Sequence, residues 1–282
     1  MSPAYPILPL RQTMPTFRGY RCSGCSVNPT GRYKFVAAGR ADRGKGRLGT
    51  GWGTARHPYN EAMKETIQFY FDPRCPWCYQ TSRWALRLEE LGRIELRWGV
   101  FCLELNNFEG PHDDFDPEES KSAPVLRIAV VVRDAVGHAA CGAFYAAIGR
   151  RYFFELEDLS DPSVIRAALV DADLDPTLFD QAIGDPGTWK QVRAEHERLV
   201  DETGAFGVPS LRLDAGDGPC MFGPVISEPP PDDEALELFE HTLWLTRNAN
   251  FHELKGGRTV YPDLPHIKKA LAERAAAEAP AS

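Results

Sequence analysis

The sequence predicts an α/β domain assembled from two distant halves, strand–helix–strand and strand–strand–helix, with a helical insertion between them at about 117–204. Three observations carry that expectation. Thr66–Phe71 (TIQFYF) is a β-rich run followed directly by a helical pattern and a second strand-like run, together the length of a βαβ unit. FGVPSLRL at 206–213 and CMFGPV at 220–225 read as strands on either side of the turn DAGDG, ahead of a further helix. Between the halves, apolar residues recur at helical rather than strand spacing.

The elements follow in order. Residues 1–62 are rich in Gly, Arg and Pro and hold ten Lys/Arg against two acids, whereas residues 63–282 hold 22 against 38. A stretch of that composition lacks the apolar surface to offset its ordering entropy. It is expected to be a disordered basic leader, or a gene-prediction artefact ahead of a true start at Met63. The domain itself is expected at 63–260 and a C-terminal tail at 261–282. Thr66–Phe71 ends at Asp72-Pro73, as a buried strand bounded by a turn does. Pro76 to Leu91 is a helix in which Trp84, Leu88 and Leu91 share a face, and Gly92 stops it. Ile94–Leu103 is the second strand. Ser122–Arg151 forms two helices broken near Gly137, Asp161-Pro162 opens another, and Asp175-Pro176 a short one. Gly187–Thr203 is an amphipathic helix ending at Gly204. After the two later strands, Asp232 to about Arg247 forms the closing helix, and a polar stretch, NANFHELKGGRT, precedes an Ala/Glu-rich terminal helix.

Composition narrows the function classes. The apolar run around Ile128–Val132 is far too short to span a membrane. The N-terminus lacks the charged start, apolar core and small-residue cleavage site of a secretory signal. Without an export signal the expected compartment is the reducing cytoplasm. Seven cysteines, an odd number, are too few for a disulfide scaffold in a chain of 282 residues. No GxxxxGKS/T phosphate loop is present, and the lone GxGxxG spacing, GKGRLG at 44–49, falls in the Gly/Arg-rich leader without a strand-like run directly before it, so nucleotide binding finds no support. The basic leader has no aromatic ladder or repeat, so nucleic acid is not an expected partner.

The chemistry concentrates in FDPRCPWCYQ, where Cys75 and Cys78 flank Pro76 and Trp77 at a strand-to-helix junction. The thiolate is the nucleophilic form of cysteine, and a helix N-terminus favours it through unpaired N–H groups and the macrodipole. Cys75 falls at the N-cap or first helical position, with Cys78 one turn further in and on the same side. That spacing makes Cys75 an exposed attacking thiol and Cys78 a shielded resolving one. A CxxC beside a βαβ pattern points to a thioredoxin-like redox motif. A metal reading remains open beside it. Cys22 and Cys25 in RCSGC form a second pair, and four thiolates suffice for a structural zinc site. Val208-Pro209, within GVPS, marks the start of the third strand, where proline is tolerated.

Taken together, FDPRCPWCYQTSRW, GVPS, FGPVISE and NANFHELK resemble the DsbA-like thioredoxin superfamily and, within it, the mycothiol-dependent nitroreductase family, over about residues 63–260. The resemblance implies a thioredoxin-like fold and a cytosolic two-cysteine enzyme. Mycothiol would be its co-substrate and no cofactor would be tightly bound. It would reduce disulfides or small electrophiles such as nitroaromatics. By the same resemblance Cys75 is the nucleophile, Cys78 the resolving cysteine, and the pair forms the redox-active disulfide. Pro76 and Trp77, between the two cysteines, belong to the thiol-binding surface. Val208 and the cis-proline Pro209 face the pair, and Asn107 is a polar pocket residue. The acidic loop GPHDDFDPEES departs from the family pattern. Expected partners are a low-molecular-weight thiol and a small substrate, with no nucleic acid and no membrane; the helical insertion offers a face for a homodimer.

Two other functions stay in view. A glutathione-type hydroxychromene-carboxylate isomerase shares the fold but needs no dithiol, and its relatives carry Ser where Cys75 stands. A non-catalytic zinc-binding module would use Cys22, Cys25, Cys75 and Cys78. Among the remaining residues, Asp72 is expected to cap the turn through its side chain. Cys102, Cys141 and Cys220 read as buried small hydrophobes, and Trp84 and Trp98 as core. His252 lies in the tail, where it could close over the site.

Overall fold

The structure is a computed structural model that describes residues 64–278. The leader expected at 1–62, with Cys22 and Cys25, lies outside the described residues. A four-stranded sheet has the order β2-β1-β3-β4, from β1 (Glu65–Phe71), β2 (Ile94–Val100), β3 (Ser210–Arg212) and β4 (Cys220–Phe222). β1 is parallel to β2 and antiparallel to β3, and β3 is antiparallel to β4. Helix α1 (Pro76–Glu90) makes the crossover from β1 to β2, and α8 (Asp232–Arg247) follows β4. This βαβ…ββα plan is the thioredoxin-like fold expected.

Between β2 and β3 lie α2 (Leu103–Asn106), α3 (Ala123–Val136), α4 (His138–Phe153), α5 (Pro162–Asp171), α6 (Leu178–Gly184) and α7 (Pro186–Thr203); α9 (Pro265–Glu278) ends the described chain. Central strand β1 is buried on both faces at Phe69, Tyr70 and Phe71, so it reads as one apolar run rather than an alternation. On one face, Ile67 meets Trp84 and Leu88 of α1 and Phe239 of α8. On that face too, Phe69 and Phe71 pack on Trp98, and Phe71 stacks on Tyr145 of α4 at 4.0 Å. Trp84 Nε1 donates to Ala235 O at 3.0 Å, tying α1 to α8. Trp84 and Trp98 are core residues, as expected.

Strand β2 lies at the sheet edge, and its outward amides are taken by side chains. Leu96 N donates to Glu89 Oε1 (2.8 Å), Trp98 N to His138 Nδ1 (2.8 Å) and Val100 N to Glu195 Oε1 (2.9 Å). Three helices thereby close an edge that would otherwise template further strands.

Several expected bounds shift. The second strand stops at Val100, three residues early, because Cys102 turns the chain and caps α2, its Sγ accepting from Leu105 N. The third strand pairs only over 210–212, since Ser210 Oγ donates to Gly207 O and holds 207–210 as a turn. The helix expected at Asp175-Pro176 begins at Leu178. The helix stops at Gly92 and Gly204 stand, both with left-handed φ (+73° and +69°), which glycine adopts without strain. Cys102 and Cys141 are buried, but Cys220 is only half-buried, because β4 is the other edge of the sheet.

Candidate active site

Cys75 is the N-cap of α1, in extended backbone conformation, and Pro76 occupies the first turn, where a missing N–H costs nothing. Cys75 Sγ accepts from Cys78 N at 3.4 Å, and as a thiol it donates to Val208 O at 3.7 Å. The Val208–Pro209 bond is cis. The structure thus brings Cys75, Pro76, Trp77, Cys78, Val208 and Pro209 to one place, from β1–α1 and from the start of β3.

Cys75 is 6% exposed and Cys78 fully buried. The order of exposure expected from the sequence is present, but Cys75 is not the open thiol anticipated, because the first turn of α1 faces the Val208–Pro209 loop. Burial pushes the Cys78 thiol well above the ordinary thiol range, and its hydrogen bond to Cys75 adds to that. Cys78 therefore holds its proton while the amide of Cys78 points at the Cys75 sulfur. The pair lies one helical turn apart in an apolar setting, so it can cycle between dithiol and disulfide at the mouth of the fold.

Behind the pair stands Asp72, 1% exposed. Its Oδ1 accepts from Arg74 N (2.8 Å) and Ser122 Oγ (3.1 Å), and its Oδ2 from Leu103 N (2.9 Å). The turn cap expected is there, and the same carboxylate also joins the end of β1 to the starts of α2 and α3. Burial raises its pKa to about 6 against the pull of those donors. Arg74 pairs with Glu104 at 2.8 Å, and Glu104 also accepts from the backbone of Lys121 and Ser122.

Asn107 caps the end of α2 and is exposed; its Oδ1 accepts from Asn106 Nδ2 at 3.5 Å. The residue that reaches the Val208–Pro209 loop is Asn106, whose Nδ2 donates to Phe206 O at 3.2 Å. Phe206 is 62% exposed and packs on Phe222 at 4.8 Å. His252 is exposed on the segment after α8. Two other residues of that segment reach the site: Arg258, with its Cζ 5.1 Å from the Trp77 ring centroid, and Tyr261, with ring centroids 6.3 Å apart. The sequence held no periodic signal for them, since both contacts join residues far apart in the chain.

Among the described residues no group of three or more His, Cys, Asp or Glu side chains could hold a metal ion, and no helix is long and apolar enough to cross a membrane. Cys22 and Cys25 lie outside those residues.

Comparison with known proteins follows this geometry. The family model Rv2466c-like, described as mycothiol-dependent nitroreductase Rv2466c, matches residues 74–256. Uncharacterized protein Rv2286c of Mycobacterium tuberculosis (strain ATCC 25618 / H37Rv) is 35% identical over 195 residues, covering 67% of this chain and 81% of its own. Among solved structures, the cytosolic disulfide reductase DsbM from Pseudomonas aeruginosa is 20% identical, with 64% of this chain and 99% of that one covered and a TM-score of 0.46. The probable DsbA oxidoreductase SCO1869 from Streptomyces coelicolor is 18% identical, with 71% and 97% covered and a TM-score of 0.46. The chain belongs to the Rv2466c-like family of mycothiol-dependent nitroreductases and is an enzyme of the thiol–disulfide oxidoreductase type.

Proposed function

We propose that this chain uses mycothiol to reduce disulfides or small electrophiles such as nitroaromatics, through Cys75 as nucleophile and Cys78 as resolving cysteine. The observation that carries the reading is the buried dithiol at the N-terminus of α1, with Cys75 Sγ facing both Cys78 N and Val208 O. Membership of the family supports mycothiol as the electron source.

With a disulfide substrate, the Cys75 thiolate attacks one sulfur and the other leaves as a thiolate that takes up a proton. Cys78 then loses its proton, attacks Cys75 Sγ and releases the second substrate thiol, leaving a Cys75–Cys78 disulfide. One mycothiol thiolate opens that disulfide at Cys75, and a second mycothiol removes the first as its disulfide. Two electrons have then passed from two mycothiols to the substrate. Val208 O and the Pro209 turn line the approach to Cys75, and Trp77 supplies an apolar wall beside it. The proposed compartment is the cytoplasm, where such dithiols stay reduced.

Cys75→Ser is expected to lower mycothiol-driven reduction to the uncatalysed rate. Cys78→Ser is expected to retain the first attack and accumulate a Cys75 mixed disulfide, whose mass identifies the thiol partner. Full activity in Cys75→Ser protein would overturn the mechanism.

A further inference from the structure

We propose that Arg258, held over Trp77, is an anion subsite that selects aromatic substrates carrying a carboxylate; this rests on the reading of Cys75 as the attacking thiol. Residues 249–264 leave α8 and cross the first turn of α1 before α9 begins. The crossing is pinned at two points. Ser227 Oγ donates to Val260 O at 2.7 Å, and Leu264 is fully buried. Between α8 and those points Arg258 places its guanidinium over the Trp77 ring, and Tyr261 lies against the same ring.

Arg258 is exposed and makes no ion pair among the described residues. Of the other charges close by in the fold, Arg74 is paired with Glu104, and Asp263 is paired with Lys268. Glu253 and Lys255 on the same segment are exposed. With its Cζ over the ring and no ion pair among the described residues, the guanidinium has N–H groups to offer, and those donors match a carboxylate two at a time. Residues 63–282 hold 22 basic against 38 acidic residues, so an unpaired guanidinium on this surface stands out as a place for an anion to settle. Trp77, half-buried and two residues along the chain from Cys75, keeps some ring surface beside Arg258 and Tyr261 that an aryl group can meet. Arg258 also lies beyond the residues 74–256 that the family model matches.

The test uses the full-length, pre-reduced protein in single turnover with two aryl disulfides. One is the disulfide of thionitrobenzoic acid, with a carboxylate on each ring, and the other is dipyridyl disulfide, which has none. In both, two electrons pass from the Cys75–Cys78 dithiol to the substrate, giving two aryl thiols and the protein disulfide. The readout is the ratio of the two second-order rate constants, charged over neutral. An ion pair at an exposed guanidinium corresponds to about a two- to fivefold fall in that ratio for Arg258→Ala. Arg258→Lys should recover part of it, Arg258→Glu should fall below Ala, and added salt should shrink the wild-type preference. A ratio within twofold of wild type in both Arg258→Ala and Arg258→Glu would overturn the subsite while leaving the dithiol chemistry in place. Wild-type protein that reduces neither disulfide would instead overturn the dithiol reading, and the subsite with it.

Discussion

Asp72 places an ionisable carboxyl where no water reaches it, and the consequence is a defined dependence of stability on pH. Burial raises its pKa to about 6 in the fold, from an ordinary value of 3.8, with Glu104 adding to the rise and the Leu103, Arg74 and Ser122 donors opposing it. Between about pH 4 and pH 6 the folded protein keeps this proton while the unfolded chain has lost it, so stability falls as pH rises through that window. Above it, the stability lost is roughly 3 kcal/mol. Asp72→Asn removes the titration but turns an N–H towards one of the present donors, a pH-independent cost of about 1–3 kcal/mol. Urea midpoints measured from pH 4 to pH 7 should therefore fall in the wild type relative to Asp72→Asn. A wild-type-minus-variant difference that stays flat over the range would show that another group sets the slope. Asp72 was legible as a turn cap from Asp72-Pro73 alone. Its burial was not, because Leu103 and Ser122 reach it only after the chain has folded.

At the scale of elements, the closure of β2 depends on polar side chains arriving from elsewhere. Glu195 of α7 is 7% exposed, accepts from Val100 N, and pairs with Arg133 at 2.9 Å. Arg133 in turn donates to Trp98 O at 3.2 Å. Glu195→Ala would leave both the Val100 amide and the Arg133 guanidinium buried without this acceptor. Breaking a buried pair from one side costs about 3–5 kcal/mol, so the unfolding midpoint should drop accordingly and the Val100 amide should exchange faster. A loss below about 1 kcal/mol, the scale of an exposed pair, would mean that water replaces the carboxylate there. The same long-range contacts explain what pattern reading could and could not find. α1, α3, α4, α7 and α8 announced themselves through spacing, Pro starts and Gly stops, which are local properties. The run Phe101–Leu103 is as apolar as a strand, yet Cys102 caps the next helix and Asp72 takes the Leu103 amide, so pairing ends at Val100. Val208 and Pro209 likewise look like strand residues but form the turn that faces Cys75. CPWC and GVPS, which the fold brings together, were legible as a candidate site because their chemistry is written within a few residues; Asn106, Arg258 and Tyr261 reach it only through the fold.

For the molecule as a whole, the dithiol sits where the two halves of the sheet meet and where the chain's last described segment returns. That return is anchored by few contacts: Ser227 Oγ donates to Val260 O, Leu264 is buried, and the ring of His266 at the start of α9 packs on Tyr152 of α4 at 4.3 Å. The segment between Phe251 and Tyr261 is otherwise exposed. Structure held by so few buried groups opens locally at lower free energy than the core unfolds. Leu264→Ala removes the main apolar anchor, a change of about 2–4 kcal/mol when a buried leucine is truncated. If the segment opens as its own unit, that loss appears in its opening equilibrium and leaves the sheet and α1 intact. The expected outcome is a several-fold faster alkylation of Cys75 by iodoacetamide, read by mass, together with a urea midpoint that moves little. Stronger acrylamide quenching of Trp77 emission should accompany it, since Arg258 and Tyr261 would leave the ring. A midpoint lowered by the full cost of the truncation, with Cys75 no more reactive, would show instead that residues 249–264 fold as one cooperative unit with the sheet.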